Sequence, residues 1–489
     1  MDCRAPLRAV WAIAGLLCAS RASAGDFRLF PGPQGEATYG LGVSADGNVL
    51  VGQLAMPDSI EAFRATLADG VVSLRDFPGG LAFATAQGAS DDGSVIIGVG
   101  YRAEGSKPDG VQAAFRWTEA TGLVDLGDLP GGESLAFASG VSANGSVIVG
   151  AGYPANNDFV AWRWDNGTMS ALGTFDASNP RSAAMGVSAD GEVVVGSSNG
   201  KVGAGENTRA FRWTQADGLV DLGDLPGGTV YASAVASSGN GLVAVGSSSS
   251  ADSGVNALEA CRWVIGKPVQ PLGDLPGGSF ASDALATNHD GSVVVGRSVV
   301  DAEDIEEAFL WDESFGMQRL ANLAATAGIN LGDAVLRQAT GVSADGKVVV
   351  GIAQTPGGIA AFRLDLRDEP EDSGASEAGL DAGTDADAPG PGIDAQPQEG
   401  DYGRDGSDVL DVSGCACASS PGHATGVWGA LAALVAAAGW GKRRRARPEA
   451  SGRANAVQPG TVHDISRTAY RKRAPAATLP AACISRIVQ

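Results

Sequence analysis

A short phrase built around a turn glycine occurs seven times along this chain. Clear copies read Gly-Val-Ser-Ala-Asp-Gly at residues 42–47, 186–191 and 341–346. The seven turn glycines, 46 to 55 residues apart, are Gly47, Gly93, Gly145, Gly191, Gly241, Gly291 and Gly346. Each copy runs into a β-branched stretch that ends in glycine, as at residues 146–150. A period of this length is typical of a solenoid, a propeller or an array.

Each repeat contains four strand-like pieces. In the second repeat they are residues 83–90, 94–98, 113–117 and 122–129. Asp-Gly after the first piece favours a tight hairpin, because both residues tolerate positive φ. Pro130-Gly131 after the fourth piece suits a type II turn. Four short antiparallel strands in each of seven repeats predict an all-β fold, a seven-bladed β-propeller.

The two ends of the array complement each other. Residues 27–32 resemble a fourth strand with its Pro-Gly turn, whereas the array stops at residues 361–364, a third strand without a fourth. Fourth-strand segments begin near Phe27, Val71, Leu123, Thr168, Leu219, Val269 and Met317. We therefore expect one domain over residues 25–366, a ring closed by the N-terminal strand. An open solenoid would need caps, and the sequence shows none.

Two residue types recur on the third strand of the repeats. The arginines are Arg64, Arg116, Arg163, Arg212, Arg262 and Arg363. Buried arginines need an acidic or carbonyl partner, and the fourth-strand candidates are Asp76, Asp128, Asp224 and Asp274. A ring of ligand-binding charges is the alternative. The tryptophans Trp117, Trp164, Trp213, Trp263 and Trp311 predict packing between blades rather than a sugar-stacking array.

Motifs of known enzyme classes are missing from the repeats. The repeats contain a single histidine, His289, which lies in a turn and is expected to be a surface residue. The repeats contain no nucleophile elbow, zinc-protease helix or phosphate loop. Catalysis by two carboxylates that converge at the propeller mouth stays an open alternative. No segment has calcium-loop spacing, so the turn aspartates are interpreted as turn formers. We predict no catalytic residue, no metal and no cofactor.

The most variable segments of the repeats indicate where a ligand would bind. They join the second and third strands, at residues 100–111, 151–158, 197–208 and 247–258. In a propeller these loops share one side with the connections between blades. Convergent loops on a rigid scaffold commonly form binding sites. We predict a ligand site at that mouth that uses Tyr101 or Tyr153.

Bulk composition limits the partners of the chain. Its formal net charge is −22, which disfavours nucleic acid because phosphate binding needs basic patches. Cys261 alone among six cysteines lies within the repeats, so no disulfide framework holds them. We expect a monomer.

The N-terminus has the pattern of a secretory signal peptide. Arg4 and Arg8 precede an apolar run over residues 9–19, and Ala22-Ser23-Ala24 supplies small residues for cleavage. We predict that residues 1–24 are removed by cleavage between Ala24 and Gly25. The apolar run is too short for a comfortable membrane span.

Three further segments follow the repeats. Residues 367–413 are rich in Asp and Glu and predict a disordered acidic tether. Residues 414–447 contain Cys415, Cys417, an apolar run and a basic cluster, and predict one transmembrane helix. Metal binding by Cys415 and Cys417 is a weaker alternative, because no other metal-binding residues lie near them in the sequence. Residues 448–489 form a basic tail without periodicity, which we predict to be disordered.

Two parts of the chain resemble known families. The repeat, with its GVSADG, AFRWT and DLGDLPGG phrases, resembles the HAF family of extracellular repeats. Residues 414–447 resemble the MYXO-CTERM sorting signal of myxobacterial surface proteins. That resemblance implies processing by a sorting protease and anchoring through Cys415 or Cys417. In one respect the chain departs from such signals, because about forty residues follow the basic cluster.

Together these features predict a secreted protein anchored at the cell surface or outer membrane. Our leading hypothesis is a non-catalytic binding or structural module that contacts an extracellular glycan or a surface protein. The alternative is a propeller-type glycoside hydrolase or polysaccharide lyase that acts on extracellular glycan.

Overall fold

The computed structural model describes residues 25–367 except 106, 132–134, 155–158, 203–204, 254–256 and 304. The predicted signal peptide, tether, sorting segment and tail lie outside the described residues, as do Ala24, Cys415 and Cys417. Gly25 is the first residue described.

Strands make up almost all of the regular structure. In the first half of the chain they are β1 Asp26–Phe30, β2 Ala37–Val43, β3 Leu50–Ala55, β4 Ile60–Thr66, β5 Gly70–Arg75, β6 Ala84–Ala89, β7 Ile96–Glu104, β8 Lys107–Thr118, β9 Gly122–Asp125, β10 Ala136–Val141, β11 Val147–Gly152, β12 Val160–Asp165, β13 Thr168–Gly173 and β14 Ser182–Val187.

The second half continues in the same way. Its elements are β15 Val194–Val202, β16 Gly205–Thr214, β17 Gly218–Asp221, β18 Gly227–Ser237, β19 Val243–Ser250, β20 Glu259–Val264, β21 Gln270–Gly273, β22 Ser282–Thr287, β23 Val293–Val299, β24 Glu306–Asp312, β25 Gly316–Arg319, α1 Leu320–Thr326, β26 Val335–Val342, β27 Val348–Thr355 and β28 Gly358–Asp365.

These strands form the sheets of an all-β propeller. Five are separate four-stranded antiparallel blades, and one sheet has eight strands, β14 to β21. The prediction of a seven-bladed propeller is therefore wrong in its count, because the strands form five four-stranded blades and one larger sheet. A parallel bridge between Thr208 and Tyr231 joins the two halves of the eight-stranded sheet. Elsewhere the same kind of parallel bridge, Ile60 to Phe83 for example, is isolated and does not merge two sheets into one.

The N-terminal strand closes the ring, as predicted. β1 pairs antiparallel with β28, from Asp26 opposite Asp365 to Phe30 opposite Ala361. On the far side of the same sheet, β26 is the innermost strand. All seven predicted fourth-strand segments are strands (β1, β5, β9, β13, β17, β21 and β25) that begin within one residue of the predicted positions.

Two of the predicted variable loops are strands instead. The described residues of 100–111 and 197–208 belong to long hairpins in which Tyr101 pairs with Gln112 and Asn199 pairs with Thr208. Their polar, glycine-rich sequence lacks the apolar alternation of a half-buried strand. Long-range ion pairs hold their bases, Arg102 to Asp125 at 2.6 Å and Arg209 to Asp221. The sequence pattern contains no sign of these contacts.

The turn phrase makes the same hydrogen bonds in six of the seven repeats, and Asn288 takes the place of the serine in the sixth. In the first, Ser44 Oγ donates to Asp46 Oδ1 and accepts from Val49 N, while Asn48 N donates to the same carboxylate. The glycine that follows, Gly47, has a φ of +79°, which L side chains rarely adopt. The aspartates are therefore turn formers, as predicted.

Hydrogen bonds between successive turns form a closed ring. Ala45 N donates to Asp91 O, and each later turn donates to the next, until Ala344 N returns to Ala45 O. His289 belongs to this ring through its main chain, and its side chain is exposed, as predicted. The ring fixes one end of the propeller axis, which we call the turn side.

Replacing Asp92 with Asn should remove part of the loss of stability in acid. Hydrogen bonds from Ser94 and Ser90 lower the pKa of Asp92 to about 2, from 3.8. A carboxyl with a lowered folded-state pKa stabilises the fold above about pH 4 and loses that effect as the pH falls toward 2. Asn144 already forms this turn without charge. Unfolding from pH 5 to pH 2 measures the effect, and Asp92→Ala should destabilise at every pH.

The aromatic residues of the third strands form the core. Phe63, Phe115, Trp162, Phe211, Phe309 and Phe362 are completely buried. The five predicted tryptophans pack against the clusters between neighbouring repeats, which confirms their assignment to the core.

The recurring arginines have carbonyl and acidic partners, as predicted, but these are not the fourth-strand aspartates. Arg163, Arg262 and Arg363 each donate to the carbonyl of the next repeat's turn glycine: Gly191, Gly291 and Gly47. No ion pair found among the described residues joins one of the six arginines to Asp76, Asp128, Asp224 or Asp274. Those aspartates follow the loop-side end of the fourth strand, whereas the arginines lie near the turn side.

One short helix interrupts the all-β pattern. α1 occupies the connection before the last repeat, and Leu320 and Ala324 are buried against Ile329 and Leu336. The repeat lacks a Pro-Gly-Gly turn here, and the sequence pattern did not indicate a helix. Within the described part of the chain, no helix has the length and apolar character needed to cross a bilayer.

Candidate functional site

A central channel of about 510 Å³ runs between the innermost strands. All seven innermost strands contribute to its wall: β2, β6, β10, β14, β18, β22 and β26. The turn ring lies at one end. The other end, which we call the loop side, carries the hairpins between second and third strands and the connections between repeats. A volume of this size is typical of small-molecule sites.

An apolar cluster lies beside the channel and contributes three residues to its wall. We call it the apolar arc, and its buried members are Phe83, Val99, Phe137, Ala151, Ala183 and Met185. Partly buried residues packed against it include Tyr101, Phe159, Val235 and Leu285. Met185, Val235 and Leu285 also face the channel. The arc comes mainly from the second, third and fourth repeats, because these carry apolar residues at inner positions where others carry polar ones.

Both tyrosines predicted to bind ligand lie at this arc. The ring of Tyr101 meets that of Phe83 edge-on at 5.7 Å, and Tyr153 contacts Phe159 at 5.2 Å. Phe159 in turn stacks on Phe137 at 5.7 Å. Both tyrosines are half-buried, so each presents part of its surface to solvent. The structure thus brings two residues 52 positions apart in the sequence into one aromatic group.

A partly buried ion-pair network lies in the sixth and seventh repeats. We call it the Arg297 network, formed by Asp283, Arg297, Glu306 and Gln338. Arg297 donates to Asp283 Oδ2 at 2.9 Å from Nη2 and to Glu306 Oε2 at 3.1 Å from Nη1. Gln338 Nε2 donates to Glu306 Oε2 at 3.0 Å. Arg297 and Gln338 face the channel.

Strand pairing explains why the network forms here. Asp283 lies directly opposite Arg297 in β22 and β23, at the end of these strands nearest the loop side. Glu306 begins β24, which follows the loop after β23. Equivalent pairs in other repeats are uncharged, for example Thr85 with Val99 and Ser233 with Ser247.

Burial shapes the electrostatics of this region. Burial by itself lowers the pKa of Arg297, but the carboxylates of Asp283 and Glu306 outweigh it, so the pKa is raised. Burial raises the pKa of Tyr231 to about 12, and the charge of Asp283 adds to the effect. Burial, with the charges of Glu259 and Asp283, also raises the pKa of the Cys261 thiol. Arg297 is therefore a permanent cation, while Tyr231 and Cys261 stay protonated.

Sequence reasoning missed the Arg297 network. The available signal was a departure from the repeat: Arg297 follows the glycine of its β-branched run, where other repeats have Gln53, Val99 or Ser247. His289 and the six recurring third-strand arginines do not belong to this network. Among the described residues, no three or more His, Cys, Asp and Glu side chains are grouped to hold a metal.

No family model and no curated protein matches this chain. Among solved structures, TolB from Acinetobacter baumannii is similar, with 12% identity, a TM-score of 0.36, and coverage of 66% of this chain and 81% of that one. An oligogalacturonate lyase from Vibrio parahaemolyticus has 12% identity, a TM-score of 0.40 and coverage of 71% and 98%.

The β-propeller domain of the Trilobed protease from Pyrococcus furiosus is also similar. It has 13% identity, a TM-score of 0.42, and coverage of 68% of this chain and 96% of that one. Similarity at this level carries no information about ligand or activity.

Proposed function

We propose that this protein is a non-catalytic binding module whose ligand enters the loop-side end of the central channel. The observation that carries the proposal is the two-part channel wall. Met185, Val235 and Leu285, which belong to the apolar arc, line one part, and Arg297 and Gln338 line another.

This combination suits an extracellular glycan. A sugar ring has an apolar face formed by C–H groups and an edge of hydroxyl groups that donate and accept hydrogen bonds. Aromatic side chains supply a large contact surface at low conformational cost, and Asp, Arg and Gln supply paired donors and acceptors. The rigid propeller holds both parts in place before the ligand arrives, which lowers the entropic cost of binding.

The location of the protein is part of the proposal. The sequence pattern of residues 1–24 supports secretion, and that of residues 414–447 supports processing by a sorting protease and anchoring through Cys415 or Cys417. The acidic segment at residues 367–413 would then link the binding module to its anchor at the cell surface. Surface labelling of intact cells tests this arrangement.

A glycan screen with the purified protein tests the function directly. The protein is incubated with an array of oligosaccharides, and each bound glycan is recovered and analysed for cleavage. Binding without new products is the expected result. Turnover of a bound glycan would instead favour the hydrolase or lyase alternative.

Tyr101→Ala should weaken binding of a glycan found in this way by about tenfold or more. Truncating an aromatic side chain at the centre of an interface commonly costs about 2 kcal/mol or more of binding free energy. Titration calorimetry measures the affinity. The matched control is Phe315→Ala, which removes a ring that is 75% exposed in the turn between β24 and β25, on the turn side. Equal affinities of the two variants would move the site away from the apolar arc.

A further inference from the structure

A third-strand tryptophan fills the boundary with the preceding repeat in the second to sixth repeats. Trp117, for example, packs against a cluster that contains Val49 of the first repeat. Trp263 of the fifth repeat also forms a hydrogen bond across its boundary, because its Nε1 donates to Gly223 O of the fourth repeat at 3.0 Å. The boundary between two repeats is therefore shaped to hold an indole ring.

The first repeat has an alanine where these tryptophans lie. Ala65 is opposite Val71 in its sheet, just as Trp117 is opposite Leu123. The alanine packs in one cluster with Phe30, across the boundary that β1 closes. A methyl group is much smaller than an indole ring, so the outer part of this boundary is left open.

The last repeat also lacks the tryptophan, but its boundary is filled in another way. Leu364 takes the place of the tryptophan there, opposite Phe27. Leu320 and Ala324 of α1 pack in the same cluster, and all three side chains are completely buried. The described residues contain no comparable helix at the boundary between the last and first repeats.

A cavity of about 470 Å³ opens at that boundary, and we call it the closure notch. One wall is formed by β1, including Arg28 and Leu29, and the other by the hairpin of β4 and β5, including Thr66 and Leu67. Leu29 and Leu67 are 37% and 54% exposed, so both present apolar surface. The residues that line the notch are all different from those that line the central channel. The notch is therefore a separate site of small-molecule size.

A cation in the wall favours an aromatic ligand over an aliphatic one. Arg28 lines the notch, and a guanidinium is attracted to the face of an aromatic ring. The boundary between the fifth and sixth repeats shows this arrangement, because the guanidinium carbon of Arg262 lies 4.5 Å from the centre of the Trp311 ring.

We propose that the closure notch binds a small aromatic molecule with a ring N–H donor, such as an indole. The ring would lie where other repeats place a tryptophan, between Leu29 and Leu67. Its N–H would donate to the main chain of β1, which replaces the fourth strand at this boundary, as Trp263 donates to the fourth repeat. The inference goes beyond the proposed function, since it concerns a second ligand at a second site.

Titration calorimetry with two isosteric compounds tests the ligand class. Indole and indene, in which a CH₂ group replaces the N–H group, are titrated into the purified full chain. We expect saturable binding of indole, with indene about threefold to tenfold weaker because it lacks the donor. Absence of saturable indole binding, or equal binding of the two compounds, would overturn the inference.

Filling the notch from the protein locates the site. Ala65→Trp supplies the side chain that the other repeats have, so it should weaken indole binding at least about tenfold. It should also raise the unfolding temperature by about 2 °C or more, because it fills a cavity. A folded Ala65→Trp protein that bound indole as tightly as the intact chain would contradict the proposal.

A milder substitution keeps the test decisive if Ala65→Trp does not fold. Leu67→Ala removes apolar surface from the wall of the notch and should weaken indole binding about threefold or more. The matched control is Leu242→Ala, which shortens a leucine that is likewise 54% exposed, in the turn between β18 and β19. Equal effects of the two substitutions would place the indole elsewhere, and thermal unfolding shows whether each variant is folded.

Discussion

Deleting residues 26–30 should lower the unfolding temperature of the full chain by about 10 °C or more. The segment is β1, which closes the ring through five residue pairs with β28. Phe30 is 6% exposed and packs in one cluster with Leu50 and Phe63. Thr38 links both strands, since its hydroxyl donates to Phe30 O and accepts from Ala361 N.

The size of this effect follows from its parts. Losing a buried phenylalanine costs about 3–5 kcal/mol, and each lost hydrogen bond costs about 1 kcal/mol. The sum approaches the whole stability of many domains, about 5–15 kcal/mol. Deletion also leaves β28 as an open edge that invites aggregation.

Point variants show whether the destabilisation comes from lost contacts of β1 or from shortening the chain. Phe30→Ala should reproduce much of the effect, whereas Leu29→Ala, at a position 37% exposed in the same strand, should cost far less. Differential scanning calorimetry measures all three proteins. A deletion protein that melted within 2 °C or so of the intact chain would show that β1 does not hold the ring closed.

Gly98→Ala should destabilise the protein by about 3 kcal/mol or more. Gly98 has no positive φ, so the reason is space rather than backbone freedom. A Cβ there would overlap Thr85 O on the adjacent innermost strand and lie 2.9 Å from the ring of Phe115. Both neighbours are fixed, one as backbone and the other as a completely buried core residue.

The same blade supplies the control. Gly88→Ala adds the same methyl group in β6, where its nearest neighbour would be Ile97 Cδ1 at an ordinary 3.7 Å. Chemical denaturation should show a large fall in the free energy of unfolding for Gly98→Ala and a change within about 0.5 kcal/mol for Gly88→Ala. Similar effects of the two substitutions would exclude the close approach as the cause.

The close approach at Gly98 explains a regular feature of the sequence. The β-branched run of every repeat ends in a glycine, namely Gly52, Gly98, Gly150, Gly196, Gly246, Gly296 and Gly351. At each of them a Cβ would overlap a carbonyl oxygen of the adjacent innermost strand. The register of the two strands shifts next to this point, which brings the backbones together.

Local patterns predicted the elements of the fold well. The fourth strands, the Ser-x-Asp-Gly turns and the core tryptophans follow from alternation, turn chemistry and repetition, which act within a few residues. Closure by the N-terminal strand also followed, because the two incomplete ends of the array complement each other. The outer parts of two hairpins, in the described residues of 100–111 and 197–208, were predicted as loops, because their pairing rests on polar strands without apolar alternation.

The candidate site was predicted only in part. Variation between repeats pointed to the loop side and to Tyr101 and Tyr153, which do lie together at the apolar arc. The Arg297 network was missed, because its members are separated by up to 55 residues and look like ordinary surface charges in the sequence. Pairing of β22 with β23, and packing of β26 beside them, brings these side chains into contact.

The sequence by itself determined the repeat, its four strands, the turn chemistry and the closure of the ring, because those depend on local periodicity. Only the tertiary structure decided which strands share a sheet and which arginine meets which partner. It also decided which residues of the apolar arc and of the Arg297 network line one channel. Those outcomes depend on contacts between residues far apart in the chain. A local repeat does not predict which of the residues that depart from it come into contact.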